Sequence, residues 1–545
     1  MTGTARHYDA LIIGSGQGGT PLAAAFANAG RKTALVEREH VGGCCINDGC
    51  TPTKTMIASG RVAYLCRRAA EYGVHFGPPE KEETVVPLSK RPAVVSALSK
   101  VGMDGEDNGN EEEADTAKNT RPEGAGISDG DVRVDMEKVR QRKRDMVSSF
   151  RAGSERRLAA AGVDVLRGSA RFVAAKTVAV APNGGGADTQ LTADLVFVNT
   201  GERPARPDLP GLDELDPSRV LDSTSVQELA EVPAHLLVLG GGPIGVEFAQ
   251  LFRRLGAAVT VVQRAAQLLP REDADVAACL LDILRQDGVA VHVGARATRV
   301  SHNTGGGIAL HLRGADGLDA AVAGSHLLLA AGRAPNTDAL GLAAAGVATG
   351  PRGHVVVDER LATSAAGVYA LGDVTGGPAF THVSYDDFRI LRDNLLSPPA
   401  SPSSSSSAPA ADGASRSPAP HTTAARALTT PYVIYTDPQL AHVGQHERAL
   451  RAARPARRVR VAAMPMAAVA RALEAAEPRG LIKAVVDADT GAILGFTCLG
   501  LDGGEVMAVV QMAMVAGVRW QVLREMVFAH PSLAEALNNL WAFLE

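Results

Sequence analysis

A chain of 545 residues can bury several separate cores, and its length alone suggests roughly three or four domains. Hydrophobic residues make up 46% and charged residues 21%, and no uninterrupted apolar run is long enough to cross a bilayer, so the composition predicts a globular protein with no membrane partner. The formal charge of −5 is concentrated between Met103 and Asp131, where ten acidic residues face two basic ones; the remainder gives no reason to expect nucleic acid.

Six cysteines, at positions 44, 45, 50, 66, 279 and 498, are too few and too scattered for a secreted disulfide scaffold. The N-terminal stretch MTGTARHYDALIIG shows no basic region, apolar core and cleavage site. Together these features lead us to expect a reducing, cytoplasmic setting.

Residues 8–13 read as a buried strand, followed at once by Gly14-Ser-Gly16-Gln-Gly-Gly19 and an alanine-rich helix. In this dinucleotide fingerprint Gly14 allows the tight turn, Gly16 lets the backbone approach a pyrophosphate, and Gly19 permits close helix–strand packing. The phosphates then sit at a helix N-terminus. A second strand, 33–37, ends in Glu37, an acid suited to a ribose 2′-hydroxyl.

Next comes Gly42-Gly-Cys44-Cys45-Ile-Asn-Asp-Gly-Cys50-Thr-Pro52-Thr-Lys54. Asn47 and Gly49 allow a bend between Cys45 and Cys50, and Pro52 suits the first turn of a helix starting near Cys50. A thiol there feels the positive end of the helix dipole, which favours the thiolate. Structural zinc needs two more ligands, and no CxxC or paired histidine supplies them. A buried pair of small apolar residues is the other alternative; a redox-active pair is favoured if something nearby can deliver electrons. Helix is predicted from 55 to about 72, with Cys66 a packing residue.

Residues 78–131 read as a disordered acidic insertion. A helix follows over 134–158 with a solvated basic face of Lys138, Arg140, Arg142, Lys143 and Arg144. A second fingerprint, strand 235–239 with Gly240, Gly242 and Gly245, precedes Glu247 and the strand 258–262. This strand ends in Gln263-Arg264 in place of an acid, which removes repulsion against a 2′-phosphate and supplies a cation for it, so NADPH is favoured over NADH. An exposed Gln-Arg without a cofactor role is the alternative.

Strands are expected at 326–330, entering the turn at Gly332, and at 368–372, ending in Asp373. Residues 397–427 are serine- and proline-rich and read as a flexible loop. Beyond it an α+β domain ends in His530-Pro-Ser-Leu-Ala-Glu535, where a carboxylate five residues on can orient an imidazole for acid/base work.

The CxNxGCxPxK pattern, two GxGxxG turns and HPxxxE, in this order, resemble the class I pyridine nucleotide–disulfide oxidoreductases, in the mercuric-reductase-like branch related to lipoamide dehydrogenase and glutathione reductase. The resemblance implies an α/β chain with two Rossmann-like domains and a C-terminal α+β dimerisation domain. The regions are an FAD domain (1–205), an NAD(P) domain (206–333), a central region completing the FAD site (334–396), the loop 397–427, and a dimerisation domain (428–545).

Carried over by motif, Cys50 is the flavin-proximal thiol and Cys45 the interchange thiol. Lys54 reaches the flavin and pairs with Glu247. Asp373 binds the ribityl chain and Thr381 lies close to the flavin, while Ala170 gives backbone contacts to the adenosine half. Arg264 takes the NADP phosphate and Gly332 lines the nicotinamide nucleotide. Cys44 stands where threonine is usual, beside the interchange thiol and the cofactor. His530 and Glu535 serve the pair of the partner subunit in a homodimer.

The implied activity is a flavoprotein reduction of a small-molecule disulfide, metal ion or electrophile by NADPH, in cell redox homeostasis. A dihydrolipoamide dehydrogenase running in reverse with NAD is the alternative, and a non-catalytic flavin-binding role a third. No C-terminal cysteine pair or N-terminal CxxC domain is present to hand over mercury.

Overall fold

The computed structural model describes residues 5–75, 132–396, 421–454 and 456–545. The acidic stretch 78–131 and most of the 397–427 loop lie outside them.

The first unit is built on β1 (Arg6–Ile13), α1 (Gly19–Asn28) and β2 (Thr33–Glu37). After these come the short α2 (Gly43–Asn47), α3 (Cys50–Arg67) and α4 (Met136–Ala160). β1 pairs in parallel with β2 on one side and with β5 (Thr189–Val198) on the other. β2 in turn pairs with β3 (Asp164–Ala174), which turns back through β4 (Thr177–Pro182) to β5 as an antiparallel meander. Central strands of a parallel sheet are buried on both faces, hence the unbroken Ala-Leu-Ile-Ile run: Ile12 packs into one core, and Leu11 and Ile13 into the other.

The chain then leaves this sheet and later returns to it. Strands 220–221, 235–239, 258–263, 290–293 and 326–329 form a second, wholly parallel sheet, joined by a three-stranded antiparallel one. The segments leaving and re-entering, Glu202–Pro204 and Arg333–Pro335, pair with each other. Val368–Ala370 then adds to β5, so the central region completes the first sheet. The C-terminal part is a five-stranded antiparallel sheet covered by the helix Gly503–Val515.

Helix α3 crosses α5 (Pro243–Leu255) of the second unit, and the crossing is close because Gly60 faces it: a Cβ there would lie 2.9 Å from the Leu251 side chain. Charge fixes the same junction. Asp437, from the C-terminal part, accepts from both Arg61 on α3 and Arg254 on α5. Arg254 and Arg479 share Asp287 at 3.5 and 2.6 Å.

Three expectations are corrected. The helix begins at Cys50, where Pro52 led us to expect it, but ends at Arg67 short of the expected 72, with a separate 3-10 turn at Ala69–Tyr72. Lys143, placed on a solvated face, is buried and paired with Glu228, because α4 packs that face against the second unit. Residues 421–427, assigned to the flexible loop, are held down by Asn394 donating to the His421 carbonyl (2.9 Å) and by Arg426 pairing with Asp386 and Asp387.

Replacing Asp437 by Asn removes the carboxylate that Arg61 and Arg254 share, leaving them their 3.5 Å contacts with Glu477 and Asp287, and we expect a stability loss of about 3 kcal/mol in denaturant unfolding. Asp135→Asn, which breaks an exposed pair with Lys138, should cost under about 1 kcal/mol.

Candidate active site

Gly14 turns out of β1 with φ +98°, a left-handed conformation that excludes a side chain, and a Cβ would lie 2.4 Å from the Asn199 carbonyl. Asn199, buried at the end of β5, donates to the Gly14 carbonyl at 3.3 Å and packs under Gly16 and Gly19. Glu37 closes the loop from the other side, accepting from the Ser15 amide at 3.0 Å and from its hydroxyl. No side chain caps α1, so its first N–H groups keep their donors for an anion. The Thr200 hydroxyl beside the turn is buried without a hydrogen-bond partner among the described residues. An uncapped helix start, an acid at the second strand's end and an orphaned hydroxyl suit the phosphate and ribose of an FAD.

The second loop repeats this plan. Gly240 has φ +120° under the Ala330 carbonyl, and Gly245 packs on Gly240 as Gly19 does on Gly14. Gly242 precedes α5 with open space where a side chain would stand and no side-chain cap, so this helix start also fits a dinucleotide phosphate. Gln263 is buried, in contrast to the alternative of an exposed residue, and accepts from the Gly241 amide at 3.3 Å. Arg264 is exposed, with no ion pair to it among the described residues.

α2 ends two residues before α3 begins, and this short bend brings the sulfurs of Cys45 and Cys50 into hydrogen-bond contact. They are unequal thiols. The Cys45 thiol donates to Cys50, and this bond together with the Thr381 hydroxyl (3.5 Å) and the Lys54 ammonium outweighs burial, holding Cys50 down at about 5. The same bond, reinforced by burial, raises Cys45 far above the usual thiol range. Cys50 is the first residue of α3, and its N-cap, Gly49, offers no side chain to compete for the helix dipole.

One helical turn on, Lys54 pairs with Glu247 of α5 at 2.9 Å. Burial works against the ammonium, but Glu247 and Cys50 outweigh it and its pKa stands above the ordinary lysine range. Glu247 also accepts from the Tyr435 amide at 2.8 Å, and the Lys54 ammonium sits 4.8 Å over the Tyr435 ring.

Asp373 stands where Val368–Ala370 ends, and burial, with Glu202 adding and Arg333 opposing, lifts its carboxyl to about 6. Arg333, next to Gly332 (φ +139°), reaches the Cys44 sulfur at 3.7 Å and pairs with Glu202, which also pairs with His354 at 2.8 Å. Burial raises the Cys44 thiol, with Arg333 opposing. Ala170 lies on β3 opposite Val180, half-buried.

Sequence reasoning missed Arg333, Glu202, His354, Tyr435 and Asn199. Of these, Arg333 directly follows Gly332, in a strand-to-turn stretch already expected from the sequence.

His530 and Glu535 meet at 2.9 Å through Nδ1, which leaves Nε2 on an imidazole whose side chain is 68% exposed. Among the described residues no hydrogen bond joins this imidazole to the cysteine pair of its own chain.

Residues 8–387 match the family described as pyridine nucleotide-disulphide oxidoreductase, and 430–541 match its dimerisation domain. The chain is 32% identical to the probable pyridine nucleotide-disulfide oxidoreductase RclA of Escherichia coli K12, over 99% of both chains. It is 33% identical to a mercuric reductase of Streptomyces lividans, over 97% of this chain and 95% of that one. It is 30% identical to a dihydrolipoyl dehydrogenase of Thermus scotoductus, over 97% and 96%. A solved copper(II) complex of the HOCl-induced flavoprotein disulfide reductase RclA from E. coli superposes with a TM-score of 0.76 at 32% identity, covering 98% of this chain and 99% of that one. No helix among the described residues is long and apolar enough to cross a membrane. On the family match over most of its length and these full-length relatives, the chain belongs to the pyridine nucleotide–disulphide oxidoreductases, the FAD-dependent flavoprotein disulfide oxidoreductases.

Proposed function

We infer that this protein is an NADPH-driven reductase of a small-molecule disulfide, metal ion or electrophile in a reducing, cytoplasmic compartment, working through Cys45 and Cys50. The observation that carries this reading is the pair of touching but unequal sulfurs at the start of α3, beside Thr381 and Lys54. Glu37, the Gly14 loop, Ala170, Asp373, Thr381 and Lys54 would hold FAD; the Gly240 loop, Gln263, Arg264 and Gly332 would hold the nicotinamide nucleotide. Bound together, these cofactors supply the electron pair that opens the Cys45–Cys50 disulfide.

The chain's own groups do the rest. Opening through Cys50 releases Cys45 toward the acceptor, and Cys50 is left as the stabilised thiolate, its charge held by Lys54 and Thr381. An imidazole takes the Cys45 proton as Cys45 attacks the outer disulfide, forming a mixed disulfide and expelling one thiolate, which the resulting imidazolium protonates. Cys50 then attacks Cys45, reforming the internal disulfide and releasing the second thiol. For a metal ion the two thiolates bind it and give up their electron pair as the disulfide reforms, reducing one Hg(II) by two electrons or two Cu(II) ions by one each; the copper complex of the RclA relative makes Cu(II) a natural first test.

The acid/base group is His530 of the partner subunit, held by Glu535 in the tautomer that keeps Nε2 for proton transfer. A homodimer suits the C-terminal dimerisation domain, which exposes Met512, Val515, Val522 and Val527. Gln263 and Arg264 favour NADPH over NADH, which weighs against the dihydrolipoamide dehydrogenase reading.

Anaerobic NADPH reduction of the yellow protein should produce a long-wavelength thiolate–flavin absorbance that Cys50→Ser abolishes, followed by turnover of at least one acceptor among lipoamide, glutathione disulfide, Hg(II), Cu(II) and a quinone. A depressed folded pKa keeps the thiolate present down to its own value, so this absorbance should persist as pH falls and disappear only through about 5. Lys54→Met removes an attracting charge and should move that midpoint up by roughly one unit or more.

Arg264→Ala should raise KM for NADPH about tenfold with NADH unaffected, as the loss of one charge-assisted phosphate contact implies. An equal change for both nucleotides would rule out the phosphate role.

Cys45→Ser and His530→Gln homodimers should both be inactive. Co-expressed, they form hybrids carrying one intact site and should recover about a quarter of wild-type activity. No recovery would mean the sites are not shared.

A further inference from the structure

Away from the cysteine pair, Glu272, His442 and His446 converge where the second nucleotide unit meets the C-terminal part. Glu272 precedes the helix Ala274–Gln286, His442 lies in the strand Gln439–Gly444, and His446 caps the helix Glu447–Ala453. One ligand atom from each lies within 4.8 Å of the others. Glu272 and His442 are each 2% exposed.

The hydrogen bonds around them leave one conspicuous opposition. The Tyr432 hydroxyl donates to Glu272 Oε1 and stands 3.1 Å from His446 Nε2. Its proton being committed to the carboxylate, Tyr432 accepts from His446 Nε2–H, which puts the imidazole lone pair on Nδ1. That lone pair faces Glu272 Oε2 at 3.9 Å, and neither atom has a hydrogen-bond partner among the described residues. Two buried acceptors aimed at each other repel unless a cation lies between them.

His442 can join them. Its Nδ1 is on the Thr497 hydroxyl at 2.8 Å, a group able to accept an N–H, while its Nε2 contact with the Gly444 carbonyl is longer at 3.2 Å. Surrendering the longer bond frees Nε2 as a ligand and leaves Thr497 orienting the ring, the usual support for a metal-bound histidine.

We propose that Glu272, His442 and His446 form a buried zinc(II)-type site that ties the second nucleotide unit to the dimerisation domain. Two imidazoles and one carboxylate suit a borderline divalent ion: there are too few oxygens for calcium or magnesium and no thiolate for a soft ion. Bonds of about 2.1 Å set tetrahedral ligands about 3.4 Å apart, so the side chains close by roughly 1 Å, and the stacked His442 and His446 rings, 3.8 Å apart, tilt to share the ion. Three protein ligands leave the fourth tetrahedral position to a water, and the enclosure of the site suits a structural ion. It also lies one aromatic stack from the redox pair: Tyr432 stacks on Phe380, which stacks on His382, next to Thr381.

The test uses oxidised holoenzyme, its cysteine pair closed, stripped with a chelator, given one equivalent of Zn2+ and desalted. Wild type should retain about one zinc per chain, and its Tm should rise. Glu272→Gln and His446→Gln should each weaken retention at least tenfold with flavin content unchanged, while Cys50→Ser retains the ion. The zinc X-ray absorption edge should show nitrogen and oxygen neighbours near about 2.0 Å and no sulfur near about 2.3 Å. No retention, retention equal in both variants, or sulfur neighbours would each overturn the proposal. So would a Tm that rises only on acidification, which would make the bridging cation a proton on Glu272.

Discussion

The Lys54–Glu247 ion pair is the constraint on which the arrangement of this molecule turns. It joins the helix that begins with Cys50 to the helix that begins with the second glycine loop, and it lies where those helices cross. A buried ion pair is weak evidence for stability, since desolvation cancels much of the attraction, but breaking one partner is costly. Its effect here is positional. Arg61, Arg254 and Asp437 pin the same crossing a few turns away, so α3 cannot slide along α5 without uncovering several charges at once.

That fixed crossing has a chemical consequence. An ammonium held by Glu247 stays charged despite its burial, and its remaining attraction falls on Cys50. With the helix start, the Thr381 hydroxyl and the Cys45 thiol, four separate donors or positive ends converge on one sulfur, while its neighbour shares only the Thr381 hydroxyl. The difference between the two thiols therefore follows from which residue opens the helix, not from the residues themselves, which are identical. Such a difference gives a disulfide pair a direction: one sulfur is the better leaving group and the other the one that meets the outside.

How much of this was legible in the sequence depended on distance along the chain. The cysteine spacing, the glycine turns, the acid at 37 and the His530–Glu535 pair lie within short stretches whose local geometry is dictated by neighbours, and the α/β fold class followed from them. Glu202, His354 and Tyr435 are brought to the site by tertiary folding, from segments with no pattern of their own, and Arg333, beside Gly332, gains its role only once Glu202 and Cys44 lie against it. Lys143 was misread because a basic helix face looks solvated until Glu228, 85 residues away, is known to lie against it. The docking of 421–427 depends likewise on Arg426 finding Asp386 and Asp387, partners across a low-complexity stretch. His442 and His446 carried no signal either, since their carboxylate, Glu272, belongs to another domain.

The two glycine loops are braced in the same way by side chains of different charge. In both, the residue ending the second strand turns inward and accepts from the amide just after the first glycine: Glu37 from Ser15, Gln263 from Gly241. The hydrogen bond that holds the loop is kept, so the backbone cradle is the same in each. What changes is charge. A carboxylate leaves a negative end beside the ribose edge and discourages a phosphate there, whereas a carboxamide does the same structural work without it, and the next residue, Arg264, adds a cation in the open. The substitution is nearly isosteric and leaves the fold alone, which is why a selectivity difference can reside in a single side chain while everything packed around it stays put.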